Sequence, residues 1–561
     1  MTHPSSSPPR VHPHDQTTMT TTPIRTALAA MLMAVLLLSS GTAATATAAA
    51  ANEAHDADNA ATVDSDDSAR IDAWVEERMA ARDLPGTAVA VVRGGKTVHL
   101  AGYGAADEAG RAVTIETPFI LGSVSKPFTA VVIGQLVEEG RLSWDEPVWP
   151  FLSDLVEKHP KGFETVTVEQ LLTHTGGLSM TVGTAGTVTI HEGPDALDRR
   201  VEDLMSASLS GEPGESFEYS NAGFMLLAAV VEQVTGRSFA TELDDRVFDP
   251  LEMAGSFATA DDPRAADMAT GHQQWFGRWQ PTELPYDNAG VAMGYIVSTA
   301  SDLAKFMQAH LDGHPAIPAT AADVASGTVA ATGWSTPLDA GYGHGWFVDE
   351  LAGTPVISHP GSLGHFTAHV VLAPEADGLG IAVLSNASQF LAGHEAQYDI
   401  GLGLNQLLLG EQPQAADPSL MTTIIVPVIT WAVAILLVAA IGRFLAKLRR
   451  HGLPTAKGHG VRRWFRSLWP GAVYLAIGTG LLTAAPLGLA RHFYPDGGWA
   501  VTVIAYVTAI WGLARLAIGL LALRSRGTDP SRMADHAAPR ERSPHSDATT
   551  PARQPAEQLQ A

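Results

Sequence analysis

Cysteine does not occur among the 561 residues, which excludes a disulfide scaffold, a thiol nucleophile and every thiolate-held zinc or iron–sulfur centre. Charged residues are also scarce, at 17%. The mean hydropathy of +0.08 is high for a water-soluble protein, so membrane-embedded stretches mixed with a soluble part are expected. No internal repeat is visible. The length allows several domains and a well-buried core.

The net charge of −24 is unevenly divided: residues 1–51 carry +1 and 420–561 carry +10, which leaves −35 on 52–419. So acidic a middle repels phosphate backbones, and no nucleic acid is expected as a partner. At the N-terminus, Ala27 to Leu38 is an unbroken apolar run behind Arg25, followed by small residues through Ala51. This is the pattern of a secretory signal peptide, assigned to 1–51. His12, His14 and Asp15 precede it and carry no metal expectation. Residues 52–68, rich in Asp and Ala, read as an acidic linker.

Beyond Pro418, apolar stretches at 421–441, 469–489 and 499–523 are each long enough to cross about 30 Å of hydrocarbon at roughly 1.5 Å per residue. The segment 442–468 contains no acidic residue but holds Arg443, Lys447, Arg449, Arg450, Lys457, Arg462, Arg463 and Arg466. By the positive-inside rule that loop is cytoplasmic, the acidic domain lies outside, and 527–561 is a disordered cytoplasmic tail. A multi-pass cell-membrane protein in contact with the lipid bilayer is therefore expected.

Residues 69–412 form the remaining domain. Ile71, Trp74, Val75 and Met79 recur at helical spacing. Thr87 to Val92 and Thr97 to Leu100 flank Gly94-Gly95 as a hairpin. Helical pieces follow at Phe128–Val137, Val168–Leu172 and Phe224–Val234. Strands return at Gly345–Val348, Val356–Ser358, Thr367–Ala373 and Ile381–Leu384, and a helix closes the domain at Tyr398–Leu409. Strands at both ends with helices between them predict an α+β domain whose sheet joins distant parts of the chain.

Of the seven lysines, only Lys126 has a serine three residues before it, Ser123. On a helix the two share a face, so an uncharged amine there could accept the hydroxyl proton. Pro127 is tolerated only in a first helical turn, which puts Ser123 at a helix N-terminus. Tyr219-Ser220-Asn221 follows Pro213-Gly214 and precedes an apolar helix, offering a phenol for proton transfer and an amide for a substrate carbonyl. His359-Pro360-Gly361-Ser362 ends one strand and leads to the next. There a glycine permits close approach of substrate, and His359 could supply a polar or cationic group.

In this order, the three elements resemble the serine β-lactamase and penicillin-binding-protein superfamily, in particular its class C-like hydrolases. The resemblance covers about 70–410. It includes Phe119-Ile120-Leu121-Gly122-Ser123-Val124-Ser125-Lys126, Leu171-Leu172-Thr173-His174-Thr175-Gly176-Gly177-Leu178 and Val297-Ser298-Thr299-Ala300-Ser301-Asp302-Leu303. The chain has no Gly-x-Ser-x-Gly, which argues against an α/β-hydrolase. The resemblance implies an antiparallel sheet with a mostly helical subdomain. It implies Ser123 as acylated nucleophile, Lys126 and Tyr219 as acid and base, and Asn221, His359, Gly361 and Ser362 as substrate-binding residues. The oxyanion would be held by the backbone N–H of Ser123 and Ser362, while His174 tethers its loop. No cofactor or metal is implied.

Where β-lactamases and D-Ala-D-Ala carboxypeptidases usually carry Lys-Thr-Gly, this chain has His359-Pro360-Gly361, which removes a fixed charge and a hydroxyl. The expected enzyme is therefore a membrane-anchored extracellular serine hydrolase working through an acyl-enzyme on an ester or amide. Its substrates would be small esters, D-amino-acid peptides (cell-wall-derived ones among them) or β-lactam-like compounds. The alternatives are a penicillin-sensing receptor and a membrane protein with a degenerate hydrolase domain.

Overall fold

The computed structural model describes residues 65–524 except 284, 320–323, 325–328, 332–339, 389–395, 416–419, 454–459 and 485–486. The signal region at 1–51, nearly all of the linker at 52–68 and the tail at 527–561 lie outside the described residues.

Helix α1 (Ser65–Arg82) opens the domain, and β1 (Gly86–Arg93) and β2 (Lys96–Gly104) form the expected hairpin. Its turn residues Gly94 and Gly95 have φ of 54° and 69°, values that L side chains resist. Short strands β3 (Phe119–Ile120), β4 (His272–Trp275), β5 (Arg278–Pro281) and β6 (Val297–Ser298) are spread through a helical middle. That middle contains α2 (Ser125–Glu138), α3 (Met180–Val188), α4 (Asn221–Thr235) and α5 (Ala300–Asp312). Then come β7 (Val329–Ala330), β8 (Gly341–Gly343), β9 (Trp346–Leu351), β10 (Thr354–Leu363), β11 (Phe366–Ala373), β12 (Leu379–Ser385) and β13 (Ala387–Ser388), followed by α6 (Ala396–Leu408).

Eight strands form one antiparallel sheet in the order β2-β1-β12-β11-β10-β9-β8-β7. Strand β1 pairs with β12 in the register Val89↔Val383 and Val91↔Ile381. Alternation along β1 sorts its side chains to two faces: Ala88, Ala90 and Val92 join the large core with α2 and α5, while Val89 and Val91 join Ile71 and Val75 of α1 and Leu404 of α6. A strand covered on both faces must be apolar throughout, and each aliphatic side chain so buried stabilises by about 1.5–3 kcal/mol. Helices α1 and α6 are tied by Arg78–Asp399 at 2.6 Å and by Trp74 Nε1 donating to Ile400 O at 3.2 Å.

Two features of the sheets place the site. Strand β9 pairs with β10 only as far as Phe347↔Ser358, so β10 from His359 onward leaves that edge free of β9. The β3–β6 pair, Phe119↔Ser298 and Ile120↔Val297, fixes the chain entering Gly122.

After the domain come α7 (Val426–His451), α8 (Gly460–Ala484), α9 (Leu487–Phe493) and α10 (Pro495–Arg524). Three spans were expected; among the described residues, two helices are long and apolar enough to cross a membrane, Met421–His451 and Pro495–Arg524. The expected middle span falls on α8 and α9, where Trp469, Pro470 and several glycines dilute the apolar residues.

Candidate active site

Gly122, Ser123 and Val124 form a 3-10 turn that runs directly into α2, with Gly122 in the left-handed region at φ 55°. Ser123 therefore stands at the entrance of the helix that carries Lys126, and the two are close because helical rotation brings i and i+3 to one side. Lys126 is completely buried. Its Nζ lies 3.0 Å from Ser123 Oγ, 2.8 Å from Asn221 Oδ1 and 2.9 Å from Met293 O.

Burial pushes the Lys126 amine well below its ordinary range, favouring the neutral form. A neutral amine has two protons and one lone pair. The two carbonyl oxygens can only accept, so they take the protons, and the lone pair is left facing the Ser123 hydroxyl. Met293 O is available because Val291–Tyr295 is a π turn, whose widened ladder frees carbonyls; in the same turn Ala292 O accepts from Thr129 Oγ1 at 2.8 Å.

The Tyr219 hydroxyl donates to Ser123 Oγ at 2.9 Å. Burial raises its pKa, and the hydrogen bond with Ser123 opposes that shift. Tyr219 and Asn221 flank Ser220, where the extended chain enters α4. His174 holds this segment on both sides of Tyr219: its Nδ1 accepts from Ser220 N at 3.2 Å and its carbonyl accepts from Glu218 N at 2.8 Å. His174 has a backbone φ of 58° and is buried, and its ring centroid lies 4.3 Å from that of Tyr219. Its place is that of a brace behind the site.

The free edge of β10 closes the other side. A Cβ on Gly122 would lie 2.5 Å from Ser362 N, and one on Gly361 would lie 2.0 Å from Leu121 O and 3.1 Å from Ser123 N. Glycine at both positions lets the two backbones touch, which brings the backbone nitrogens of Ser123 and Ser362 near each other. Ser362 Oγ is 2.9 Å from Ser388 Oγ on β13.

His359 is 1% exposed, with Nε2 3.2 Å from Tyr342 Oη and Nδ1 2.7 Å from Pro360 O. Burial pushes its pKa well below the ordinary histidine value. Burial therefore favours the neutral imidazole, and the cationic form anticipated from the sequence is disfavoured. Thus Ser123, Lys126, Tyr219, Asn221, His359, Gly361 and Ser362 converge. Sequence reasoning missed Met293 and Tyr342. The first acts through its backbone, which no residue type announces. Tyr342, in Gly341-Tyr342-Gly343 at a strand start, belongs to a ring cluster with Phe217 and Phe347.

A serine hydroxyl facing an amine lone pair, with a phenol on the same oxygen and two backbone amides nearby, has the groups that acyl transfer requires. A protein-family model described as Beta-lactamase matches residues 71–403. Penicillin-binding protein 4 of Amycolatopsis lactamdurans is 30% identical over 317 residues, 54% of this chain and 81% of the relative. Esterase EstB of Burkholderia gladioli is 32% identical over 363 residues, 57% of this chain and 91% of the relative. Among solved structures, the octameric penicillin-binding protein homologue from Pyrococcus abyssi superposes with a TM-score of 0.54 at 29% identity, covering 63% of this chain and 80% of that one.

Proposed function

The chain belongs to the beta-lactamase family, and from that membership we propose that it is a membrane-anchored serine hydrolase that cleaves an ester or amide through an acyl-enzyme. In this reading Ser123 Oγ attacks the substrate carbonyl while its proton passes to the Lys126 amine. The oxyanion develops against the N–H groups of Ser123 and Ser362, each worth about 3–4 kcal/mol to the transition state. Tyr219 hands a proton to the leaving group, and Asn221 orients the substrate while holding Lys126. Water, activated through the same residues, then releases the acid. The observation that carries the reading is the fully buried Lys126 amine 3.0 Å from Ser123 Oγ, where burial favours the neutral form.

Small esters and D-aminoacyl amides fit the site better than β-lactams. His359, whose cationic form burial disfavours, and the ring of Pro360 supply neither a fixed charge nor the hydroxyl with which a carboxylate would be gripped. We also assign α8 as a third span: α7 carries the chain across the bilayer to the basic loop, α8 brings it back to the side of the hydrolase domain, and the domain is external by the positive-inside rule. The test is covalent labelling of isolated membranes with a fluorophosphonate probe. Wild-type chain should be labelled and Ser123→Ala unlabelled; labelling that survives the substitution would remove Ser123 as nucleophile.

A further inference from the structure

Helix α9 packs against two elements that flank the proposed active site, α3 and the turn after β10. Gly488 meets Val188 of α3, the helix whose Gly183 lies against the backbone of Asn221. His492 presses its ring on Gly364, where a Cβ would come within 2.8 Å of Nε2. Gly364 is two residues from Ser362, about 7 Å of extended chain. A second route joins the same points: Ser362 Oγ meets Ser388 Oγ, Ser388 pairs with Gln273 across the β13–β4 ladder, and Gln273 Nε2 donates to His492 O at 2.6 Å.

The same α9 is bound into the heads of the apolar helices. Tyr494, just after it, donates to Thr422 O at 2.6 Å, and Trp431 Nε1 of α7 donates to Asp496 O at 2.9 Å. Asp496 also accepts from Phe276 N at 2.8 Å, clamping the tip of the β4–β5 hairpin to the start of α10. Around this junction, exposed large apolar side chains gather: Phe276, Leu420, Met421, Ile424 and Trp499. The Arg491 guanidinium sits 5.0 Å over the Trp499 ring, a pairing suited to the headgroup level of a bilayer. A domain carrying −35 between 52 and 419 would be repelled by anionic lipid, so this apolar rim is what can meet the membrane.

We propose that the catalytic cleft opens at the bilayer surface and that its substrates are amphiphilic esters or amides whose apolar tails stay in the adjoining leaflet. This rests on the hydrolase reading above. The headgroup layer extends only about 5–7 Å beyond the hydrocarbon on each side. Ser362 is one short strand segment from α9, so an acyl group carried at headgroup level reaches Ser123 without leaving the membrane.

The test uses the full-length protein in phosphatidylcholine vesicles and one fluorogenic acetate ester in three forms: free in solution, joined directly to a phospholipid headgroup, and joined through a long poly(ethylene glycol) spacer. A tether too short to reach a site gives an effective concentration near zero. A cleft at the surface hydrolyses the directly joined ester at least as fast as the spaced one. Hydrolysis of the directly joined ester that is slower than the spaced one by about tenfold or more, with the free ester still cleaved, would place the cleft away from the membrane and overturn the proposal alone. Failure to cleave any of the three would overturn the hydrolase reading and this proposal with it.

Discussion

Lys126 Nζ stands 3.0 Å from Ser123 Oγ while Asn221 Oδ1 and Met293 O occupy its other two contacts. The chemistry therefore depends on the amine being able to lose a proton. Arginine keeps a positive charge and some of the hydrogen bonds but cannot deprotonate. Lys126→Arg and Lys126→Met should each lower kcat about 10²–10⁴-fold on a soluble ester. Near-wild-type turnover by the arginine variant would show that a fixed charge suffices and that Lys126 is no base.

Gly361 makes a second, purely steric prediction. A methyl group there would lie 2.0 Å from Leu121 O, a backbone atom that no rotamer can move aside, so β10 must move away from the Ser123 turn. That movement separates the Ser362 amide from the Ser123 amide. Gly361→Ala should reduce kcat by about 10²–10³-fold, the loss typical of one oxyanion donor, with a much smaller change in KM. A loss confined to KM would mean that the strand edge binds substrate without stabilising the oxyanion.

Much of this was legible in the sequence because it depends on local spacing. Ser123 and Lys126 are one helical turn apart, and the apolar run Thr87 to Val92 before Gly94-Gly95 marks β1 as one arm of a hairpin. The pairing of Val89 with Val383 was not legible, since nothing local marks two apolar strands nearly three hundred residues apart as neighbours. Met293 was hidden for another reason: a carbonyl freed by a π turn is offered by any side chain. Histidine at position 359 was read by its ordinary pKa, which holds in water; burial among rings such as those of Tyr342 and Phe347 lowers it.

His359 yields a pH prediction whose sign follows from that environment. Were it cationic, affinity for a carboxylate-bearing substrate would fall as pH rose through about 6.5, and a neutral ester would show no matching loss. Its pKa is pushed well below that value, so its charge does not change across neutral pH. The kcat/KM profiles of a matched acid and its methyl ester should run parallel from about pH 6 to 8. A carboxylate-specific decline in that window would restore the cationic role. The same depressed pKa works against the fold in acid. The unfolded chain binds the proton near 6.5 while the folded chain refuses it, so stability falls as pH drops below that value, by about 1.4 kcal/mol per unit for this one group.

The assignment of α8 as a span rests on packing as much as on apolarity, and two glycines separate the effects. A Cβ on Gly478 would lie 2.3 Å from Ala509 N, and on the facing helix one on Gly512 would lie 2.4 Å from Leu475 N; Gly471 and Gly519, seven residues from each, meet Leu516 N and Ser467 O in the same way. Seven residues are nearly two turns, so one glycine seam brings α8 and α10 into backbone contact in antiparallel sense. Gly480, two residues further on, has nothing within 4 Å of its Cβ position. Gly478→Leu and Gly480→Leu therefore raise the hydropathy of α8 equally, and insertion by apolarity alone would favour both. Packing predicts that they differ. Gly478→Leu should destabilise the helix pair by about 1–3 kcal/mol through overpacking, while Gly480→Leu is tolerated. The measurement is thermal loss of soluble-ester hydrolysis in native membranes, together with protease resistance of 460–524. Identical behaviour of the two variants would show that the seam does not hold α8 in place.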